Sequence, residues 1–341
     1  NVRGWAAAGL GWKNAREFAP QIASLLQDQD VGARKKAVEA LGSMGARETA
    51  PMIASLLRDR NVPIRKAAIE ALGMLKALGS APQIASLLQD QDVGIRHSAV
   101  SALGHLEASE FAPQIAALLQ DPDAGVREQT TKVLGWMHAV EFSPQIALRL
   151  RDEESACRDS AITTLEAFDA RDLIPEIARC LEDKEGWIRE HAVLSLIRLE
   201  ARACAPQMAA CLAELSESSR LETEATLFQW DPSLLQATTR FRALYRLHES
   251  NDPHIVENAV RSLRDPDPAV RAAALEILVL HQAIGHLPAI AQILPDDPDP
   301  DVRMWAASAL NLLTGGSCPE DPDAALAWWA AHKDDPEFRN P

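Results

Sequence analysis

The sequence predicts an all-α chain, a right-handed α-solenoid of about nine to ten helix pairs with a 31-residue period. Three observations carry the prediction. Prolines recur at Pro20, Pro51, Pro82, Pro113, Pro144, Pro175 and Pro206, each 31 residues after the last. Arginines keep the same interval from Arg3 through Arg34, Arg65, Arg96, Arg127, Arg158, Arg189 and Arg220, as do leucines from Leu10 to Leu227. A further column holds Asp28, Asp59, Asp90, Asp121, Asp152 and Asp183, with Glu214 in the next unit. A length of 341 residues alone suggests two or three globular domains, but columns in register describe one array.

Each unit reads as two helices. In the first complete unit, helix A covers 19–27, with Ile22, Leu25 and Leu26 on one face and Pro20 in the first turn, where a missing N–H has no intrahelical partner to lose. The turn Asp28-Gln29-Asp30 follows, and Asp30, like Asn61, Asp92 and Asp123 after it, is placed to cap helix B. Helix B runs from about Val31 to Met44 with Ala37, Val38 and Leu41 on its apolar stripe, and Gly45 ends it. A pair this small cannot bury its own apolar faces, so pairs must stack.

The pattern P-x-I-A-x-L-L-x-D-x-[DN]-x-x-[VI]-R-x-x-A-[VI]-x-A-L-G, clearest at 20–42 and 82–104, resembles the HEAT repeat in its bacterial phycobilisome-lyase-like form. The resemblance covers nearly the whole chain and is specific for fold. It implies that the aspartate and arginine six residues apart form a hydrogen-bonded ladder between adjacent pairs: Asp28/Arg34, Asp59/Arg65, Asp90/Arg96, Asp121/Arg127, Asp152/Arg158 and Asp183/Arg189. Residue identity repeated in every unit reads as architecture, and function has to be argued from sites.

Residues 1–18 read as an incomplete first repeat with helix B only, 19–230 as seven regular repeats, 231–250 as an inserted amphipathic helix, 251–314 as two further repeats, and 315–341 as a cap carrying Trp328 and Trp329. The insert is expected to kink the superhelix or cover a ridge. The start at Asn1 and the unpartnered first helix point to a domain of a larger protein.

The formal net charge of −15 disfavours nucleic acid, whose affinity for proteins comes mostly from Lys and Arg displacing counterions. Five scattered cysteines form no C-x-x-C pair and read as reduced thiols. No stretch is long and apolar enough to span a bilayer, so a cytoplasmic protein is expected. No phosphate loop or nucleophile elbow appears, and no cofactor is expected.

Function is sought where the units differ. Pro-Gln-Ile-Ala recurs in helix A at 20, 82, 113 and 144, exposed glutamine included, whereas helix B varies at offsets 1, 2, 5 and 9 from its ladder arginine. In HEAT-like solenoids that face lines the concave groove, so its variation reads as a recognition surface. The groove candidates are Trp12, Lys35, Lys36, Lys66, Met74, His97, His105, Lys132, Trp136, His191 and Arg198. Trp136, His105 and Met74 form the expected anchor, since aromatic residues dominate interface energetics. The lysines favour an acidic and apolar segment of a protein or peptide, while Asp159, Glu190 and Glu222 make the later groove acidic.

The reading is thus a non-catalytic scaffold. The resemblance also implies an alternative, a lyase or chaperone-like protein holding a bilin chromophore. A metal-dependent enzyme is a further alternative: HEAT-like diiron hydroxylases repeat His-Glu pairs on their B helices, but this chain has one, His248-Glu249. His97, His105 and His138 come from neighbouring units without a carboxylate or thiolate at ligand spacing.

Overall fold

Proline fixes where each A helix begins. Pro20, Pro82, Pro113, Pro144 and Pro175 lie in the first turn of the helices Ala19–Ala23, Ala81–Ala85, Ala112–Ala116, Ser143–Ala147 and Ile174–Ala178. The structure, a computed structural model, describes residues 2–339, and within them every regular element is helical. The continuous helix expected over 19–27 is composite. A 3₁₀ turn, Arg16–Phe18, leads into it and another, Ser24–Gln27, closes it. The tighter winding gives end carbonyls i→i+3 partners just before the chain turns to extended backbone at Asp28.

The chain divides into two compact units, Asn1–Leu199 and Glu200–Pro341. In the first unit the B helices are Val2–Trp12, Val31–Ser43, Val62–Met74, Val93–His105, Ala124–Trp136, Ser155–Ala167 and Gly186–Arg198. Asp30, Asp92 and Asp123 cap theirs, accepting from Ala33, Ile95 and Val126 N–H at 2.8, 3.0 and 3.1 Å. Asn61 does not. Its side-chain amide donates to Asp59 Oδ1 at 2.8 Å, because an amide, unlike a carboxylate, has N–H groups that this acceptor attracts.

Each B helix packs on the next, and glycine sets how closely. A Cβ added to Gly11 would stand 2.9 Å from Ala40 Cβ, and one on Gly42 2.9 Å from Ala71 Cβ. Leu41, Leu72, Leu103, Leu134, Leu165 and Leu196 are fully buried, and several of their carbonyls also terminate the helix: Ala46, Ala77 and Ala108 N–H donate to Leu41, Leu72 and Leu103 O. This closure needs a left-handed residue. Gly45 supplies it at φ 66°, but the same position holds Asn14, Lys76, Glu107, His138 and Asp169 at φ between 50° and 55°.

The ladder has a different wiring from that implied by the resemblance. Within a unit the arginine meets the aspartate at its backbone: Arg34, Arg96, Arg127, Arg158 and Arg189 Nη1 donate to the carbonyls of Asp28, Asp90, Asp121, Asp152 and Asp183, and to the carbonyl one residue further on. The carboxylate partner lies one unit on. Arg3 pairs with Asp28, Arg34 with Asp59, Arg65 with Asp90, Arg96 with Asp121, Arg127 with Asp152 and Arg158 with Asp183. Four of the rungs close to 2.6–2.7 Å, while Arg34–Asp59 and Arg65–Asp90 are looser at 3.3 and 3.2 Å. Each aspartate also accepts the N–H two residues ahead, as Asp183 does from Glu185. One residue thereby ties its own turn to the preceding unit. Burial opposes the charge of Asp183, but Arg158 and the Glu185 N–H outweigh it and hold the carboxyl below the ordinary range; Arg96 and Arg127 act likewise on Asp121 and Asp152.

In the second unit the segment 231–250, expected as an inserted helix, takes a repeat position. Its helix, Ala237–Glu249, packs between Glu217–Trp230 and Pro268–Leu280. Arg240 makes the ladder contact, bidentate to Asp265 at 2.7 and 2.8 Å. The segment is therefore a B helix whose A helix has shrunk to the 3₁₀ turn Pro232–Leu234. The arginine interval is 20 residues from Arg220 to Arg240 and 31 from Arg240 to Arg271, so the sequence offset is a loss within one unit. Arg271–Asp297 continues the row at 2.7 Å. The helix Pro322–His332 packs on Pro300–Leu313 with Ala325 and Trp329 buried, while Trp328 stacks on His332 at 4.5 Å.

Candidate binding face of the B helices

Stacking B helices at one spacing brings equal offsets into rows. In the first unit the last-turn row reads Trp12, Ser43, Met74, His105, Trp136, Ala167 and Arg198, all exposed. Trp12 is 84% exposed, Met74 57% and Trp136 58%, large areas for residues that a core would bury. Gly42 lies beside Met74 Cε, and His105 stacks on Trp136 with centroids 6.3 Å apart. The expected anchor of Met74, His105 and Trp136 thus occupies one row, with Trp12 at its first position. His97 stands eight residues before His105, about two helical turns nearer the helix start.

The lysines are engaged by their own helices. Lys35 and Lys36 share Glu39 at 3.5 and 2.9 Å, Lys66 approaches Glu70 at 3.9 Å and Lys132 bonds Glu128. Lys36 also lies 5.7 Å from the Trp5 ring centroid. Later acids are matched too. His191 Nδ1 is 2.6 Å from Asp159 Oδ1, and Glu166 holds Arg198 at 3.0 Å while accepting from Ser195. Glu166 stands where earlier units have a packing glycine, Gly135 being the last, so here ionic contacts between helices replace close approach. The polarity expected from the sequence is therefore largely compensated pair by pair.

The second unit carries exposed apolar residues at the same offsets: Phe241 beside Arg240, Leu280 in the last turn of Pro268–Leu280, and Met304, Trp305 and Leu312 on Pro300–Leu313. Reading 231–250 as an insert hid Phe241 by removing the ladder arginine from which it is counted, whereas Leu280, Met304, Trp305 and Leu312 follow the recognisable Arg271 and Arg303 and the offset count was not carried to them. Tyr245, five residues after Arg240, donates to Glu276, five after Arg271, and burial together with this carboxylate pushes the phenol up to about 12.

Among the described residues no group of three or more His, Cys, Asp and Glu side chains forms a metal-binding cluster. His105 is taken up by Trp136, and His138 is the left-handed residue closing its helix. Burial raises the thiols of Cys157, Cys180 and Cys318 to about 11 and also raises Cys204, which makes them poor nucleophiles. No described helix is long and apolar enough to cross a membrane.

Stacked A/B pairs joined by a ladder define a helical-repeat protein. A model of HEAT repeats matches residues 1–73, 81–145, 236–311 and 257–340, more than half of the sequence, and the chain belongs to the HEAT-repeat family. The match from 236 includes the shortened unit. The X-ray structure of Escherichia coli YibA aligns with a TM-score of 0.54 at 16% identity, covering 75% of this chain and 96% of that one, and supports the fold alone. A complex of CpcE and CpcF of phycocyanin lyase from Nostoc sp. PCC7120 gives a TM-score of 0.40 at 20% identity over 69% of this chain and 89% of that one. An engineered protein gives 0.45 at 17% identity over 94% and 96%. No curated protein matches the sequence.

Proposed function

We propose that this HEAT-repeat protein is a non-catalytic scaffold that takes a protein or peptide segment on the exposed face of its B helices. The supporting observation is the last-turn row of the first unit, where Trp12, Met74 and Trp136 stay exposed at equivalent positions while the ladder residues repeat from unit to unit. Exposed aromatics in a row have the chemistry of interface anchors. An acidic segment would compete with Glu39, Glu70 and Glu128 for the lysines, so apolar contact carries the recognition and charge adjusts it.

The test is affinity recovery with the wild type and a Trp136→Ala/His105→Ala/Lys132→Ala variant. Loss of a specific partner from a variant with unchanged circular dichroism supports the reading, and equal recovery of every partner contradicts it. The bilin-holding alternative predicts a spectral change on adding a bilin, which the scaffold does not.

A further inference from the structure

Two imidazoles meet on successive B helices of the second unit. His248 lies in the last turn of Ala237–Glu249, and His281 directly follows Pro268–Leu280. Nδ1 of His248 and Nε2 of His281 are 2.9 Å apart, with ring planes at 83°. Both residues are half-buried, and neither ring has another hydrogen-bond partner among the described residues. Tyr245 and Glu276, further back on the same helices, bond to each other. At this separation one ring donates N–H and the other accepts, so the pair presents nitrogen donors with at least one ring neutral.

The spacing suits a metal ion as well as a proton. With metal–nitrogen bonds of about 2.0–2.1 Å, two cis donors of a square-planar or octahedral ion stand roughly 2.9 Å apart, against roughly 3.3 Å for a tetrahedral one. We propose that His248 and His281 form a two-histidine site for a divalent late first-row transition ion, Cu²⁺ most tightly, with water in the remaining positions. Copper leads because it binds nitrogen donors most strongly in the divalent series and accepts tetragonal geometry. The proton shared by Nδ1 and Nε2 moves to the outer nitrogen of the ring that carried it, His248 Nε2 or His281 Nδ1, so both facing nitrogens offer lone pairs. Each ring turns by roughly 45° from the N···N line to aim its lone pair at the ion. The site is independent of the docking reading above.

The untagged full chain is titrated with CuCl₂ by calorimetry and followed by electron paramagnetic resonance. The wild type is expected to bind one equivalent with hyperfine structure from two nitrogens. His248→Gln and His281→Gln are each expected to lose an order of magnitude or more in affinity and one of the two nitrogens, while His286→Gln, outside the pair, matches the wild type. No saturable binding at one equivalent, or binding unchanged in both glutamine variants, overturns the proposal.

Discussion

Both units carry ladder arginines, but within the second, one rung is missing. From Arg3–Asp28 to Arg158–Asp183 every rung joins one unit to the next. In the second unit Arg220 has no carboxylate partner among the described residues, because the turn that would carry it has been cut to Pro232–Leu234 and the position six residues before Arg240 is Leu234. Arg240 nevertheless recovers both halves of the contact, donating to Leu235 O at 2.6 Å and to Asp265. A solenoid of this kind can lose a helix A and keep its register, because the rung runs from a B-helix arginine to the next turn and needs no A helix behind the arginine.

The sharpest way to break this comparison is to remove arginines on either side of the shortened unit. Arg158→Ala and Arg240→Ala each strip the guanidinium from an aspartate whose side chain is only 8% or 6% exposed, and each should cost about 3 kcal/mol in denaturant unfolding. An inserted helix outside the repeat would make Arg240→Ala nearly silent. Arg220→Ala, which breaks no ion pair among the described residues, should cost less than about 1 kcal/mol on the same assay. Acid sharpens the comparison further. The Asp121, Asp152, Asp183 and Asp297 carboxyls lie below the ordinary range, so their contribution is complete above about pH 4 and fades as pH falls through their folded values. Urea midpoints measured from pH 7 to pH 2 should fall over that acidic window, and less steeply in Arg158→Ala. The smallest effect tests the helix ends: His138→Gly relieves a left-handed β-carbon and should stabilise by about 1 kcal/mol, read as a raised melting temperature.

Periodicity made most of this fold legible. Proline, leucine, aspartate and arginine columns located both helices of each regular unit because packing demands the same atom at the same place. The rung pairing was not legible, since Asp28 serves its own turn and the Arg3 guanidinium of the preceding unit, and spacing alone cannot separate a backbone from a carboxylate acceptor. The 3₁₀ endings escaped for a related reason: Ser24–Gln27 has ordinary helix-forming residues, and the following turn imposes the tighter winding. For the candidate face, the offsets found the exposed row of the first unit but not the pairing of Lys36 with Glu39 or of Asp159 with His191, which depends on side-chain reach between neighbours.

The proposed scaffold takes its partner on the B-helix face, while the ladder and the core columns hold the repeats together. Photo-crosslinking from single sites tests it most directly, with a photoreactive phenylalanine analogue placed at Met74 or Trp136 and, for comparison, at the exposed helix A residues Gln83 or Gln114. The predicted result is a discrete partner adduct from 74 and 136 and none from 83 and 114. Equal adducts from both faces, or adducts from helix A alone, would contradict the account.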